Sequence, residues 1–135
     1  MSAPALSGVV LDLEAVRGWC RRDPYPHAIT WACAESGSTI VLPAAVLSAA
    51  RALVPSDQID ILAALVTLPH TVIPDLDRNS AADVGALLAG RRDADTLISA
   101  AHATHEGIAR GWHVLTARAA VLTGIDSAVL TDTIP

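Results

Sequence analysis

The sequence predicts a three-layer α/β/α domain around a mostly parallel sheet of four or five strands. Its strand candidates are short apolar runs without alternation, a pattern typical of strands covered on both faces. The first two are GVVLD at residues 8–12 and STIVL at residues 38–42. Helical segments of about ten to twenty residues separate most such runs, which favours right-handed crossovers between parallel strands.

Local signals define the other elements of the first half. The prolines of DPYP at residues 23–26 forbid continuation of the first helix. Pro43 suits the first turn of a helix, and Ser56 with Asp57 is expected to cap the next one. The predicted helices cover residues 13–22, 27–35, 44–54 and 58–67.

The second half continues the alternation of strands and helices. Gly90 and Gly111 suit helix C-termini, and Asp93 is a natural N-cap for the longest periodic segment. The predicted strands are HTVIP at 70–74, HVLT at 113–116 and a fifth over 128–131. The predicted helices cover residues 77–90, 93–110 and 118–122.

Composition indicates one globular domain over residues 1–135. The chain is 52% hydrophobic and 17% charged, too apolar for disorder. Pro and charged residues interrupt every apolar run before about 18 residues, so no membrane span is expected. Residues 1–7 are uncharged and lack a secretory leader, which predicts a cytoplasmic protein. Nine Arg with no Lys and no Phe suggest a GC-rich bacterial genome, and leave three Trp as the bulky pieces of the core.

The charge balance limits the binding partners. A net charge of -5 excludes nucleic-acid binding through a broad basic field. Local clusters exist at Arg17, Arg21 and Arg22, and at Arg91 and Arg92. Their positive charge can bind RNA phosphates, and it can equally well stabilise the C-termini of helices.

The cysteines and histidines do not predict a zinc site. Cys20 and Cys33 have no second pair and are interpreted as buried free thiols. His102 and His105 lack an H-E-x-x-H arrangement and a third ligand. Helical periodicity assigns His105 to the core side of its helix, with His102 and Glu106 on a stripe shared with Asp95.

Ligands of open parallel sheets bind beyond the carboxyl ends of the strands. Here those positions are Asp12, the block at residues 43–50, Asp95, and residues 116–118. No G-x-G-x-x-G, G-x-x-x-x-G-K-[ST] or G-x-S-x-G occurs, which disfavours the usual nucleotide folds and the serine-hydrolase elbow.

Three stretches together resemble one family. They are VVLD at 9–12, VLPAAVLSAARAL at 41–53 and DADTLISAAHATHEGIARGWHVLTA at 93–117. Their order and pattern resemble the PIN domain, a metal-dependent nuclease fold found in bacterial toxin-antitoxin ribonucleases. The resemblance extends from about residue 8 to about residue 131.

The resemblance implies four acidic residues that hold Mg²⁺ or Mn²⁺ for cleavage of a phosphodiester. Asp12 matches the first acid and Asp95 the third. The second falls on Ala49, or on Ser48 if the register shifts by one, and the fourth falls on Arg118. A guanidinium suits carboxylates, so Arg118 is expected to bond Asp12 or Asp95 in place of the metal.

Two residues keep alternative interpretations. Glu14 can supply a third carboxylate, because a strand continuing that far would place it about 7 Å from Asp12 on one face. The preferred interpretation is a helix N-terminal acid stabilised by the dipole or by solvent. Asp95 has the same second interpretation, in the first turn of the long helix.

Two functional hypotheses follow. The first is a non-catalytic PIN-like domain that acts as a binding or regulatory module, pairing with a small antitoxin-like protein. The second is an Mg²⁺- or Mn²⁺-dependent endoribonuclease that uses Asp12, Asp95 and Glu14. The apolar helices at residues 44–54 and 59–68 suit a homodimer or the core alike.

Overall fold

The computed structural model describes residues 7–135, so residues 1–6, which belong to the segment predicted to lack a leader, lie outside it. A five-stranded, all-parallel sheet has the order β3-β2-β1-β4-β5. The strands are β1 Gly8–Leu11, β2 Thr39–Val41, β3 Thr71–Val72, β4 Val114–Thr116 and β5 Thr131–Thr133. The predicted α/β class and parallel sheet are therefore confirmed, with the fifth strand about three residues later than expected.

Helices connect and cover the strands. In the described residues they are α1 Leu13–Arg21, α2 Pro24–Ser36, α3 Ala44–Leu53, α4 Ile59–Thr67, α5 Arg78–Leu87, α6 Ile98–Arg110 and α7 Ala119–Ile125. None of these helices has the length and apolarity needed to cross a bilayer.

Helix α2 begins three residues before the predicted start. Pro24 and Pro26 lie inside its first turn, where the missing N–H groups would have had no helical partner. The prolines do end α1, whose C-cap is Arg22 in the left-handed region at φ 60°. The prediction erred by treating the whole DPYP segment as a break.

The longest predicted helix starts late. A 3₁₀ turn at Ala94–Thr96 precedes α6, and Leu97 takes the N-cap position. Asp93 instead pairs with Arg91, with 3.1 Å between Oδ1 and Nε, so the prediction that it caps the long helix is wrong. Ser56 and Asp57 similarly form a 3₁₀ turn without a side-chain cap for α4.

The core lies on the three central strands. Val10, Ile40, Val41 and Leu115 are fully buried there. Of the three tryptophans, Trp19 is in the core and Trp112 is half-buried, whereas Trp31 is 41% exposed. The expectation that all of them fill the core is therefore wrong for Trp31.

The sheet register places the end of β1 beside the end of β4. Leu11 pairs with Leu115, so the next residues on the two strands, Asp12 and Thr116, emerge side by side. Both are buried. This junction is the starting point for the candidate site.

Candidate functional site

Asp12 leaves the end of β1 and caps α1. Its Oδ1 accepts the Ala15 N–H at 2.9 Å, the usual bond of an acidic N-cap. Its own N–H donates to the Leu115 carbonyl at 3.3 Å. The side chain is 1% exposed, and Oδ2 has no hydrogen-bond partner in the described chain.

Burial dominates the electrostatics of Asp12. It raises the pKa of the carboxyl above its usual 3.8, and the nearby Glu14 charge adds to the rise. The Thr116 side chain, the Ala15 N–H and the Arg118 charge lower the pKa and offset part of that rise. No bond of good geometry joins Asp12 to Thr116, whose hydroxyl accepts the Arg118 N–H at 2.8 Å.

Arg118 does not form the predicted pair. Its side chain is exposed, and within residues 7–135 it has no ion pair shorter than 4.0 Å. Its charge acts on Asp12 only at longer range. The expectation of a direct guanidinium contact with Asp12 or Asp95 is therefore wrong, because Arg118 opens α7 at the surface.

Asp95 and Ala49 line one cleft of about 450 Å³, which we call the strand-end cleft. Asp95 is exposed in the 3₁₀ turn before α6, so it does not lie in the first turn of that helix. Ser48, the alternative position, also lines the cleft. The other lining residues are mostly apolar: Leu13, Ala45, Leu53, Leu76, Thr96, Ile98 and Ser99.

Glu14 lies in the first turn of α1 rather than on a strand. Strand β1 ends at Leu11, so the shared strand face expected for Glu14 and Asp12 does not exist. Its Oε1 lies 3.5 Å from Arg17 Nη1, one helical turn away. This placement agrees with the interpretation of Glu14 as a helix N-terminal acid.

The residues present do not fit a divalent cation. Mg²⁺ and Mn²⁺ require several oxygen ligands, and protein sites for them use converging carboxylates. Residues 7–135 contain no group of three His, Cys, Asp or Glu side chains arranged to hold a metal. One oxygen of Asp12 is committed to the helix cap, and Asp95 lies at the surface beside apolar side chains.

Comparison with known proteins identifies the fold. The chain matches a chain in the crystal structure of VapBC2 from Rickettsia felis bound to a DNA fragment from their promoter. The TM-score is 0.64 at 15% identity, over 93% of this chain and 98% of that chain. This chain has a PIN-like fold. No family model matches the sequence, and no curated protein does.

The PIN-like fold brings the carboxyl ends of its parallel strands to one edge of the sheet. Asp12 and Thr116 lie side by side there, whereas Ala49 of α3 and Asp95 of the 3₁₀ turn line the strand-end cleft, which neither Asp12 nor Thr116 lines. The resemblance stated from sequence predicted this fold correctly. The fold positions these residues, while their chemistry depends on the side chains at the four positions.

The arginine clusters are largely compensated. Arg17 pairs with Glu14, Arg21 with Asp23 at 2.9 Å, and Arg91 with Asp93. Such exposed pairs contribute little stability, yet they cancel most of the local positive charge. A basic face for RNA phosphates therefore has little support at these clusters.

The helical periodicity did not place His102 in the core. It is fully buried, and its Nδ1 accepts the Ala45 N–H at the start of α3 at 3.3 Å. Nε2 has no hydrogen-bond partner and lies 3.7 Å from Glu106 Oε1. Burial lowers the pKa of His102, so the neutral ring is favoured. The stripe carrying His102 and Glu106 thus faces inward, opposite to the prediction that His105 marks the core side.

Proposed function

We propose that this chain is a non-catalytic PIN-like domain that acts by binding a partner protein. The observation that carries the proposal is the composition of the strand-end cleft. Where the family pattern places acids, this chain has Ala49 beside Leu13, Leu53 and Ile98. The cleft therefore suits an apolar protein segment better than a metal and a phosphate.

The small number of carboxylates at the matched positions supports the same proposal. Asp12 and Asp95 are the acids that remain at matched positions, and Arg118 introduces a cation whose field reaches Asp12. Glu14 is engaged with Arg17. A divalent ion at this edge would meet too few oxygen ligands and a local positive charge.

The partner we propose is a small antitoxin-like protein. The matched structure is that of a VapBC2 assembly, bound there to a promoter DNA fragment. Exposed apolar side chains at the cleft rim, Leu53 at 54% and Ile98 at 38%, can be covered by such a partner. The homodimer suggested by α3 and α4 stays a prediction, which analytical ultracentrifugation of the wild-type chain tests.

The alternative is an Mg²⁺- or Mn²⁺-dependent endoribonuclease using Asp12, Asp95 and Glu14. One observation favours it: Asp12 Oδ2 is buried at a strand end and has no hydrogen-bond partner in the described chain. Such an orphan oxygen is uncommon in folded proteins. RNA would then be the substrate of the enzyme.

Isothermal titration with Mn²⁺ separates the two functions. We expect no saturable heat at millimolar metal for the wild-type chain or for Asp12→Asn. Binding by the wild-type chain that Asp12→Asn abolishes would overturn the non-catalytic proposal. Incubation of a single-stranded RNA with the same two proteins and Mn²⁺ is the matched activity test, and we expect no difference between them.

A further inference from the structure

A second cleft, of about 590 Å³, opens where α1, α2 and α4 meet. Its aromatic residues are Trp19, His27 and Trp31, and its charged residues are Arg22 and Asp60. Ile61 lies among them. We call this the aromatic cleft, and none of its residues lines the strand-end cleft.

Hydrogen bonds hold the aromatic rings in fixed positions. The Trp19 indole N–H donates to the Ile61 carbonyl at 3.0 Å, and the Trp31 indole N–H donates to His27 Nε2 at 3.2 Å. His27 stacks on Trp19 with 4.8 Å between ring centroids and 14° between planes. Both indole N–H groups are thereby used, so the exposed Trp31 has only its ring surface to offer a ligand.

Two opposite charges line the same cleft without pairing. Within residues 7–135, neither the Arg22 nor the Asp60 side chain has an ion pair or hydrogen bond. Both arginines of α1 do pair, Arg17 with Glu14 and Arg21 with Asp23. The cleft thus combines an aromatic surface with one free donor group and one free acceptor group.

Arg22 has a backbone conformation that an arginine rarely adopts. Its φ of 60° lies in the left-handed region, where glycine is the residue with no steric penalty. As C-cap of α1, its N–H bonds the Gly18 and Trp19 carbonyls. Glycine would serve this cap better, so the guanidinium is carried at a conformational cost.

We propose that the aromatic cleft binds a guanine nucleotide. The base stacks on Trp31, which suits any flat ring. The Asp60 carboxylate, an acceptor only, matches the adjacent N1–H and N2–H donors of guanine. Adenine and cytosine present an acceptor beside their amino group and would repel that carboxylate. Arg22 supplies the charge-assisted hydrogen bonds to the phosphate.

This inference is independent of the proposed partner function. It uses α1, α2 and α4 residues, whereas the partner proposal uses residues around the strand-end cleft. A failure to bind nucleotide would therefore not alter the outcome of the metal titration. Binding of a metal would likewise not alter the outcome of the nucleotide titration.

The test titrates the full-length chain with GMP by calorimetry and by the indole N–H signals of its tryptophans in nitrogen-15 NMR. We expect saturable binding below about 1 mM, with IMP and AMP weaker by about tenfold. The Trp31 and Trp19 signals should move, while Trp112, which does not line the cleft, provides the internal control.

Three substitutions locate the ligand. Arg22→Gly keeps the left-handed cap and removes the guanidinium, Asp60→Asn removes the carboxylate charge, and Trp31→Ala removes the stacking surface. Each should weaken GMP binding by about tenfold or more, and Asp60→Asn should also reduce the preference for GMP over AMP. Arg51→Ala, an exposed arginine of α3 outside this cleft, is the matched control and should bind GMP as the wild type does.

Several outcomes would overturn the inference. They are the absence of saturation at about 10 mM GMP, equal binding of inorganic phosphate and GMP, or GMP binding that survives all three substitutions. A short single-stranded RNA with one central guanine, compared with the same strand carrying adenine, shows whether the cleft takes guanine from RNA or as a free nucleotide. Tighter binding of the guanine strand than of GMP identifies RNA, and the reverse identifies the free nucleotide.

Discussion

The two carboxylate oxygens of Asp12 have different surroundings. Oδ1 caps α1, whereas Oδ2 is buried without a hydrogen-bond partner. The cap stabilises the helix, while burial of the charge destabilises the folded chain.

Asp12→Asn should make the chain more stable at pH 7. Asparagine caps helices as well as aspartate does and carries no charge. Because the folded pKa of Asp12 lies above the usual 3.8, the folded chain keeps the Asp12 proton to higher pH than the unfolded chain does. Stability from this group is therefore present at low pH and is lost as pH rises through the folded pKa. Urea unfolding across acidic to neutral pH measures the effect.

The matched control is Asp12→Ala, which removes both the charge and the cap. It should be less stable than Asp12→Asn by about 1 kcal/mol. The difference in unfolding free energy between Asp12→Asn and wild type should become smaller toward low pH. Equal stability of the asparagine and alanine variants would contradict the role of Asp12 as a cap.

His102 predicts the opposite pH dependence. Its pKa is lowered from 6.5 by burial, and His105 adds to the lowering while Glu106 opposes it. The unfolded chain takes up the proton first, so stability is fully present above pH 6.5 and is lost as pH falls toward the folded value. In urea unfolding, His102→Leu should reduce the fall of the unfolding free energy below pH 6.5. An unchanged fall would contradict the assignment of this pH dependence to His102.

At the scale of elements, periodicity predicted which segments are helices and strands better than where they begin. The first turn of α2 accommodates Pro24 and Pro26, which sequence rules treat as breakers. The start of α6 is displaced because Asp93 bonds Arg91 instead of the backbone. The first error arises because a helix tolerates proline in its first turn, where the N–H groups have no helical partner. The second arises because a side chain can bond a neighbouring side chain instead of the backbone.

The packing of α6 on the sheet predicts contrasting effects of two glycines. A Cβ on Gly107 would lie 2.6 Å from Val114 Cγ2 and 3.3 Å from the Trp112 carbonyl. Gly107→Ala should therefore destabilise the chain by about 1 to 3 kcal/mol. Gly85→Ala in α5 meets nothing within 4 Å and should stabilise it by about 0.5 to 1 kcal/mol.

Thermal unfolding of the two variants beside wild type measures this contrast. Both substitutions add the same methyl group to a helix, so helix propensity acts equally on them. The difference lies in the surroundings of the added methyl group, since Gly107 faces Val114 and Trp112 whereas Gly85 faces open space. Stabilisation by Gly107→Ala would show that α6 sits further from β4 than the structure has it.

At the scale of the whole molecule, the family pattern predicted the fold, and the site residues that it suggested stay a prediction. It did not predict the contacts of these residues, since Arg118 is exposed and forms no ion pair within residues 7–135, and Glu14 pairs with Arg17. Side-chain direction depends on how each helix begins, as at α1 and α7. The aromatic cleft escaped prediction because Trp19, His27 and Asp60 lie on three different helices.

Restoring the missing acids tests whether the fold still supports a metal centre. The double variant Ala49→Glu with Arg118→Asp returns carboxylates to the second and fourth family positions beside Asp12 and Asp95. We expect it to bind Mn²⁺ at millimolar concentration or tighter in calorimetry, because converging carboxylates suit that ion. The wild type should not bind. Ala52→Glu with Arg92→Asp makes the same charge change at exposed positions outside the strand-end cleft and should behave as the wild type. Failure of the restored variant to bind, with its fold intact by circular dichroism, would show that replacement of the two acids does not by itself explain the loss of the site.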